Sequence, residues 1–197
     1  MSEIIDAQDR VVIYEMEGGD PAVDLLSVST SHGRTRVRAV GEPAQAVELA
    51  TRLVAEGADL IELCGSFGAV WHARIAREVG ARARVGAVYY GFESLTTIAA
   101  YKERFGTGEA LADAFLVVHE GADPVQDRAR YEKPSDGGPI TIVAVPDAKA
   151  AARVAGELGP GLALIEIYGA SGPEVAEAVI EEVDARVPVG LTAYGRH

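Results

Sequence analysis

Two glutamates stand inside apolar segments, and each is followed by a glycine turn. Residues 61–68 read Ile-Glu-Leu-Cys-Gly-Ser-Phe-Gly, and residues 165–172 read Ile-Glu-Ile-Tyr-Gly-Ala-Ser-Gly. A carboxylate in a buried strand must be protonated, paired or open to water, and burial raises its pKa. Such a group suits general acid or base catalysis, which makes Glu62 and Glu166 candidate catalytic residues. The alternative is that both bond backbone amides or an arginine and only hold the fold together.

Three further side chains could exchange protons at the ends of strands. Glu15 and Glu120 end the first predicted strand of each half of the chain, and His119 precedes Glu120. Ligands of α/β proteins bind at the carboxyl ends of strands. A histidine there could shuttle protons or bind a divalent metal, but no His-x-x-x-His spacing occurs and we predict no metal site. The alternative for His119 is a strand residue with a half-buried ring.

The two glycine turns are candidate ligand-binding elements, because each joins a strand to a helix. Free amides at helix N-termini bind phosphate or carboxylate, and glycine allows close approach to the backbone. We therefore expect a small anionic molecule as the partner, although a plain tight turn is an equal alternative. Two tyrosines that precede a glycine at strand ends would wall the pocket or cap the core. The candidate binding residues are Gly65, Ser66, Gly68, Gly169, Ser171, Gly172, Tyr90 and Tyr194.

The chain contains an internal duplication. Glu62 and Glu166 are separated by 166 − 62 = 104 positions, and the same offset relates Gly65 to Gly169. Residues 84–91 match residues 188–195 at this offset, and residues 18–24 match 121–127 with a drift of one or two positions. Matched glycines recur in three separate segments, in the same order in both halves, which indicates two repeated units. We place them at residues 1–106, including a connecting helix, and residues 107–197, and we expect them to form one compact domain.

Each unit predicts four strands that mostly alternate with helices. The expected strands are 11–16, 35–40, 58–64 and 84–90, then 114–119, 139–145, 162–168 and 187–193. Residues 25–34 and 128–138 look irregular, and Asp20-Pro21 resembles a helix start. Alternation of this kind predicts parallel pairing. The expected fold is an α/β protein of eight mostly parallel strands, forming a small (β/α)8-like barrel of two half-barrels. The alternative is two four-stranded α/β lobes related by a pseudo-twofold axis.

Composition and charge exclude several classes of function. The net charge of −12 argues against binding to nucleic acid or an anionic membrane. No apolar run approaches the roughly 18–20 residues that cross a bilayer, and the first residues do not resemble a secretory signal. The single cysteine fits a reducing compartment, so we expect a cytoplasmic protein. Nothing in the sequence indicates a cofactor, and the internal symmetry is compatible with a homo-oligomer.

Two resemblances add to this interpretation. Residues 56–63, Glu-Gly-Ala-Asp-Leu-Ile-Glu-Leu, resemble a segment of (β/α)8-barrel enzymes such as the tryptophan synthase alpha subunit, which implies a catalytic acid at Glu62. The next residues, Gly65-Ser66-Phe67-Gly68, stand where that family has a Ser-Asp-Pro loop with a second acid. That specific activity is therefore not carried over, and only the idea of an acid on a strand remains.

The second resemblance is to a family of small bacterial proteins of unknown function. It rests on Gly19-Asp20-Pro21, on residues 61–68 and on Val85-Gly86-Ala87-Val88. The second unit resembles a degenerate copy, with Tyr168 and Ser171 where the first has a cysteine and a phenylalanine. The resemblance implies a fused tandem pair and brings no activity with it.

Three functions are therefore open. The first is a lyase or isomerase that uses carboxylate and imidazole groups on a small anionic metabolite. The second is a small-molecule-binding protein without catalysis, and the third is an interaction module. The sequence does not decide whether the protein is an enzyme.

Overall fold

The computed structural model describes residues 8–195, which form ten strands and five α-helices. The strands are β1 (Gln8–Glu15), β2 (Asp24–Thr30), β3 (Gly33–Val40), β4 (Leu60–Leu63), β5 (Arg84–Tyr90), β6 (Ala112–Val118), β7 (Arg128–Glu132), β8 (Pro139–Val145), β9 (Leu162–Tyr168) and β10 (Val189–Tyr194). The helices are α1 (Pro43–Ala55), α2 (Gly68–Val79), α3 (Leu95–Gly106), α4 (Ala148–Leu158) and α5 (Glu174–Glu182). The mixed α/β class, the eight expected strands and the helices between them are confirmed.

The prediction of eight strands was wrong because two segments that looked irregular are strands. β2 and β7 pair antiparallel with β3 and β8, each as the first arm of a hairpin that edges the sheet. The segment after Asp20-Pro21 is a turn and not a helix. β2 alternates weakly and β7 exposes alternate residues, so neither has the apolar run that marked the central strands.

The direction of one central pair also differs from the expected (β/α)8-like barrel of mostly parallel strands. The sheet order is β2-β3-β1-β4-β5-β10-β9-β6-β8-β7. Within each half the four central strands are parallel, but β5 and β10 pair antiparallel. A strand and its repeat counterpart that pair across a twofold axis normal to the sheet must run in opposite directions. The carboxyl ends of the two sets of parallel strands therefore lie at opposite ends of the sheet.

The sheet curls until its two edges meet, which gives a nearly closed barrel. The Thr30 hydroxyl on β2 donates to the Glu120 carbonyl at 3.0 Å. The Tyr131 hydroxyl on β7 donates to the Leu25 carbonyl at 2.5 Å. Because side chains alternate along a strand, Ile61 and Leu63 face the helices while Glu62 between them faces the interior.

The helices cover the outside of the barrel and are closed by local signals. Glu42 and Gln45 form a capping box before α1, and the Asp147 carboxylate accepts from the Ala150 amide at 2.8 Å at the start of α4. α3 links the halves and has no fully buried residue. No helix between residues 8 and 195 combines the length and apolar character needed to span a membrane.

Candidate functional site

The two glutamates found in the sequence form a reciprocal glutamate network, in which each half completes the other. The Glu62 carboxylate accepts from the Gly169 amide at 2.9 and 3.1 Å and from the Tyr194 hydroxyl at 2.6 Å. The Glu166 carboxylate accepts from the Gly65 amide at 2.9 Å and from the Tyr90 hydroxyl at 2.8 Å. The glycine-turn amides are thus already bonded to carboxylates of the chain itself.

Two glycines on the strands that meet at the pseudo-twofold axis make room for the tyrosines. A Cβ atom on Gly86 would lie 2.9 Å from Tyr194 Cδ1, and one on Gly190 would lie 2.8 Å from Tyr90 Cε1. Real Cβ atoms essentially never come this close, so each tyrosine reaches its glutamate across a strand without a side chain at that point. The repeated glycines, glutamates and tyrosines therefore all belong to the reciprocal glutamate network.

The two glutamates differ in their remaining partner. Arg10 Nε lies 3.4 Å from Glu62 Oε2, an ion-pair contact without hydrogen-bond geometry. Glu166 has no cation within ion-pair distance among residues 8–195 and instead accepts from the Tyr168 hydroxyl. Burial raises the pKa of Glu166, and the hydrogen bonds from Tyr168, Tyr90 and Gly65 oppose this rise.

Two clefts lie at opposite ends of the barrel because the halves run antiparallel. The first cleft has a volume of about 380 Å³ and is lined by Tyr14, Glu15, Cys64, Gly65, Ser66, Tyr90, Ile98, Tyr101, Lys102, Phe105, Asp113, Phe115, Leu164 and Glu166. The second cleft has a volume of about 430 Å³ and is lined by Gln8, Arg10, His32, Thr35, Val118, His119, Glu120, Pro146, Asp147, Ala148, Gly169, Ser171, Glu174 and Val175. The first is mainly apolar and covered by α3, and the second is more polar.

Asp113 on the wall of the first cleft is buried and only half satisfied. Its Oδ2 atom accepts from Lys133 Nζ at 2.6 Å and from the Tyr101 hydroxyl at 3.0 Å. Its Oδ1 atom is buried and has no hydrogen-bond partner within residues 8–195. Burial raises the pKa of Asp113, although Lys133 opposes the rise. A buried acceptor without a partner is costly, so this oxygen is suited to a donor from a ligand.

His119 in the second cleft is held by hydroxyls on two strands of the other half. Its Nδ1 atom lies 2.9 Å from Thr35 Oγ1, and its Nε2 atom lies 3.0 Å from Thr30 Oγ1. Because Thr30 donates its proton to the Glu120 carbonyl, it must accept from Nε2–H, and the network assigns this neutral tautomer. Burial, and secondarily Arg10, lowers the pKa of His119.

The second cleft offers few free donors for an anion. The Gly169 amide is bonded to Glu62, and Asp147 occupies the start of α4. Glu174 adds a further carboxylate in the first turn of α5. The Arg10 guanidinium donates to the Val118 carbonyl at 2.9 Å and to Gln8 Oε1 at 2.7 Å.

Cys64 lies beside Glu166 but is poorly suited to act as a nucleophile. Its thiol is buried and lies 3.0 Å from Ser66 Oγ. Burial, followed by the charge of Glu166, raises the pKa of the thiol to about 12. A nucleophilic cysteine requires the opposite shift.

The candidate residues from the sequence do not share a single hollow. Those at the first cleft are Glu15, Gly65, Ser66, Tyr90 and Glu166, and those at the second are His119, Glu120, Gly169 and Ser171. Glu62 and Tyr194 line neither cleft and meet inside the barrel. Gly68 begins α2 with a left-handed φ of 57°, and Gly172 stands against the Glu174 side chain before α5.

Sequence reasoning missed Asp113, Lys133 and Arg10 as site residues. Asp113 and Arg10 each stand near the start of a strand, so they reach the carboxyl ends of the opposite half only because the halves are antiparallel. The available signal was a charged residue inside each strand. Between residues 8 and 195, no three His, Cys, Asp or Glu side chains are grouped so that they could hold a metal ion.

The fold and the network define a duplicated α/β protein with a barrel-like sheet, in which each half supplies donors to the glutamate of the other. The chain belongs to a family of unknown function (DUF6506), whose model matches it twice, over residues 9–103 and 111–197. These two matches confirm the tandem duplication predicted from the sequence. No curated protein matches the chain.

Two solved structures share limited similarity with the chain. One is a carbohydrate transporter from Acidothermus cellulolyticus 11B in complex with myo-inositol, at 16% identity over 93% of this chain and 73% of that chain, with a TM-score of 0.33. The other is unliganded arylmalonate decarboxylase, at 14% identity over 93% of this chain and 86% of that chain, also with a TM-score of 0.33. At these scores neither likeness bears on function.

Proposed function

We propose that the protein binds a small molecule in the first cleft, between the mouth of the barrel and α3. The observation that supports this most is the buried, unpartnered Oδ1 atom of Asp113, a residue that lines an apolar cleft of about 380 Å³. Pockets of roughly this size with an apolar lining and a few placed polar groups are typical of small-molecule sites. Ile98, Tyr101 and Phe105 of α3 line the cleft, and none of them is fully buried, so a ligand can contact this face of the helix.

A cleft-filling variant tests this proposal. Ile98 on α3 lines the cleft, and the next residue, Ala99, is exposed. We expect a fragment library of acids, amines and neutral compounds to yield binders that shift the backbone amide signals of Gly65 and Ser66. Ile98→Trp should abolish these shifts, and Ala99→Trp on the same helix should preserve them. Shifts confined to the second cleft, or unchanged in Ile98→Trp, would show that the proposal is wrong.

Proton-transfer chemistry on the bound molecule, as in a lyase or isomerase, is a second candidate function. Glu166 favours it, because this carboxyl lines the cleft and its burial raises its pKa, a shift that is typical of general acids and bases. Its Oε1 atom accepts two hydrogen bonds and its Oε2 atom one, so Oε2 retains a free lone pair.

Exchange of carbon-bound hydrogen in D2O tests this chemistry without a known product. Compounds that bind in the first cleft would be incubated with the protein and followed by proton NMR. Exchange that is lost in Glu166→Gln while affinity changes little would support catalysis. Exchange should persist in Glu174→Gln, a matched change at the second cleft. Binding without any exchange would exclude proton-transfer catalysis and support small-molecule binding alone.

A further inference from the structure

We infer that the ligand of the first cleft is an organic cation, an ammonium group attached to an apolar or aromatic body. This inference rests on the proposed function and names the class of ligand. It replaces the small anion expected from the glycine turns, because the amides of Gly65 and Gly169 already bond Glu166 and Glu62.

The walls of the cleft carry aromatic rings on both sides. On the barrel side Tyr14 and Phe115 form an edge-to-face pair with centroids 4.9 Å apart. On the α3 side Tyr101 and Phe105 stack with centroids 6.1 Å apart. The faces of aromatic rings attract cations, and aromatic cages are a recurrent way to bind ammonium groups.

The charged groups at the cleft are mainly acidic. Asp113 is only 3% exposed, and its Oδ1 atom lacks a donor, so an ammonium N–H would complete its bonding. Glu15 stands at the rim and Glu166 on the inner wall. Of the two nearby cations, Lys133 is bonded to Oδ2 of Asp113, and Lys102 is an exposed residue of α3 that can turn to solvent. An anion would meet Glu15, Glu166 and the acceptor oxygen Oδ1 of Asp113 here.

The inference can be tested with three probes that share a phenylethyl body: 2-phenylethylammonium, 2-phenylethanol and 3-phenylpropionate. Titrations of the full chain would follow the Gly65 and Ser66 amide signals. The alcohol can also donate a hydrogen bond to Asp113, but it lacks the positive charge that the carboxylates and the ring faces attract. We therefore expect the ammonium to bind at least about tenfold more tightly than the alcohol, and to exceed the carboxylate by a larger factor.

Variants assign the preference to Asp113. Asp113→Asn alone would leave Lys133 buried without a counter-ion and could unfold the protein. The double variant Asp113→Asn with Lys133→Met removes both charges and should reduce the ammonium preference to about threefold or less, since only the rings, Glu15 and the already hydrogen-bonded Glu166 remain. Glu174→Gln at the second cleft should leave the preference unchanged.

The outcomes separate the two levels of the proposal. Three results would refute the organic cation while small-molecule binding stands. They are equal or tighter binding of 3-phenylpropionate, no saturable shift with the ammonium, and an unchanged preference in the double variant. If neither the probes nor any library compound perturbs the first cleft, small-molecule binding itself fails.

Discussion

The two glutamates of the reciprocal network occupy equivalent positions, yet their substitution by glutamine should have unequal consequences. Glu62 is fully buried and faces the Arg10 guanidinium at 3.4 Å. Glu62→Gln would keep the shape of the side chain and leave the buried arginine without its counter-ion. Glu166→Gln removes no partner of a cation, because the groups bonded to Glu166 are an amide and two tyrosines.

The magnitudes follow from these contacts. Breaking a buried ion pair costs about 3–5 kcal/mol. The lower end applies to Glu62→Gln, because Arg10 keeps acceptors in Val118 and Gln8. In Glu166→Gln an NH2 donor replaces one of the two acceptor oxygens, so one hydrogen bond is lost, which costs about 1–2 kcal/mol. For a chain of this size, 1 kcal/mol corresponds to about 2–4 °C in Tm, so Tm should fall by about 6–12 °C in the first variant and about 2–8 °C in the second.

Urea unfolding at pH 7, monitored by far-UV circular dichroism, measures this difference in the free energy of unfolding. The comparison requires that the variants have equal m-values. Adding Arg10→Met to Glu62→Gln should restore stability, because removal of both charges leaves neither of them unpaired. Equal losses for the two glutamine variants, or a double variant less stable than Glu62→Gln, would refute the assignment of the ion pair.

The difference in stability between the wild type and Glu166→Gln should depend on pH. The pKa of Glu166 is raised in the folded state, so between the unfolded value of about 4.3 and the folded value the native state binds more protons than the unfolded state. Stability contributed by this group is therefore lost as pH rises through that window. The deficit of Glu166→Gln relative to the wild type should shrink from pH 4 to pH 8, and a constant deficit would contradict the raised pKa.

Three further predictions concern the surrounding residues. Because the pKa of His119 is lowered on folding, stability should fall as pH drops below about 6.5, and the urea midpoint of His119→Gln should depend less on pH. Gly190→Ala should cost about 1–3 kcal/mol through its clash with Val88 and Tyr90, whereas Gly161→Ala, with open space around it, should cost little in the same urea titration. With its pKa raised to about 12, Cys64 should react with a disulfide reagent at pH 8 in urea and not in the native protein.

The secondary structure was predictable where the signal was local. Apolar runs marked the eight central strands, and Pro43, Gly57 and Gly80 marked helix limits because capping and turn preferences act over a few residues. β2 and β7 were missed because each is an edge strand whose pairing partner supplies its stability. Their exposed alternate residues carry no strong strand signal by themselves.

The candidate site was predictable in its residue types and not in its grouping. Repetition identified Glu62, Glu166, both glycine turns and both tyrosines. It could not show that Tyr90 serves Glu166 and Tyr194 serves Glu62. Asp113 and Arg10 were invisible as site residues, because each lines a cleft together with residues of the other half that lie about 100 positions away in sequence.

The sequence by itself determined that two homologous α/β units follow each other and that each carries an acidic strand and a glycine turn. Side-chain period and turn chemistry are local properties, so they can be read along the chain. Only the tertiary structure decided that β5 and β10 pair antiparallel. This pairing places the carboxyl ends of the two sets of parallel strands at opposite ends of the barrel. It also lets each half donate hydrogen bonds to the glutamate of the other half. That choice depends on how the two units pack against each other, which no local pattern encodes.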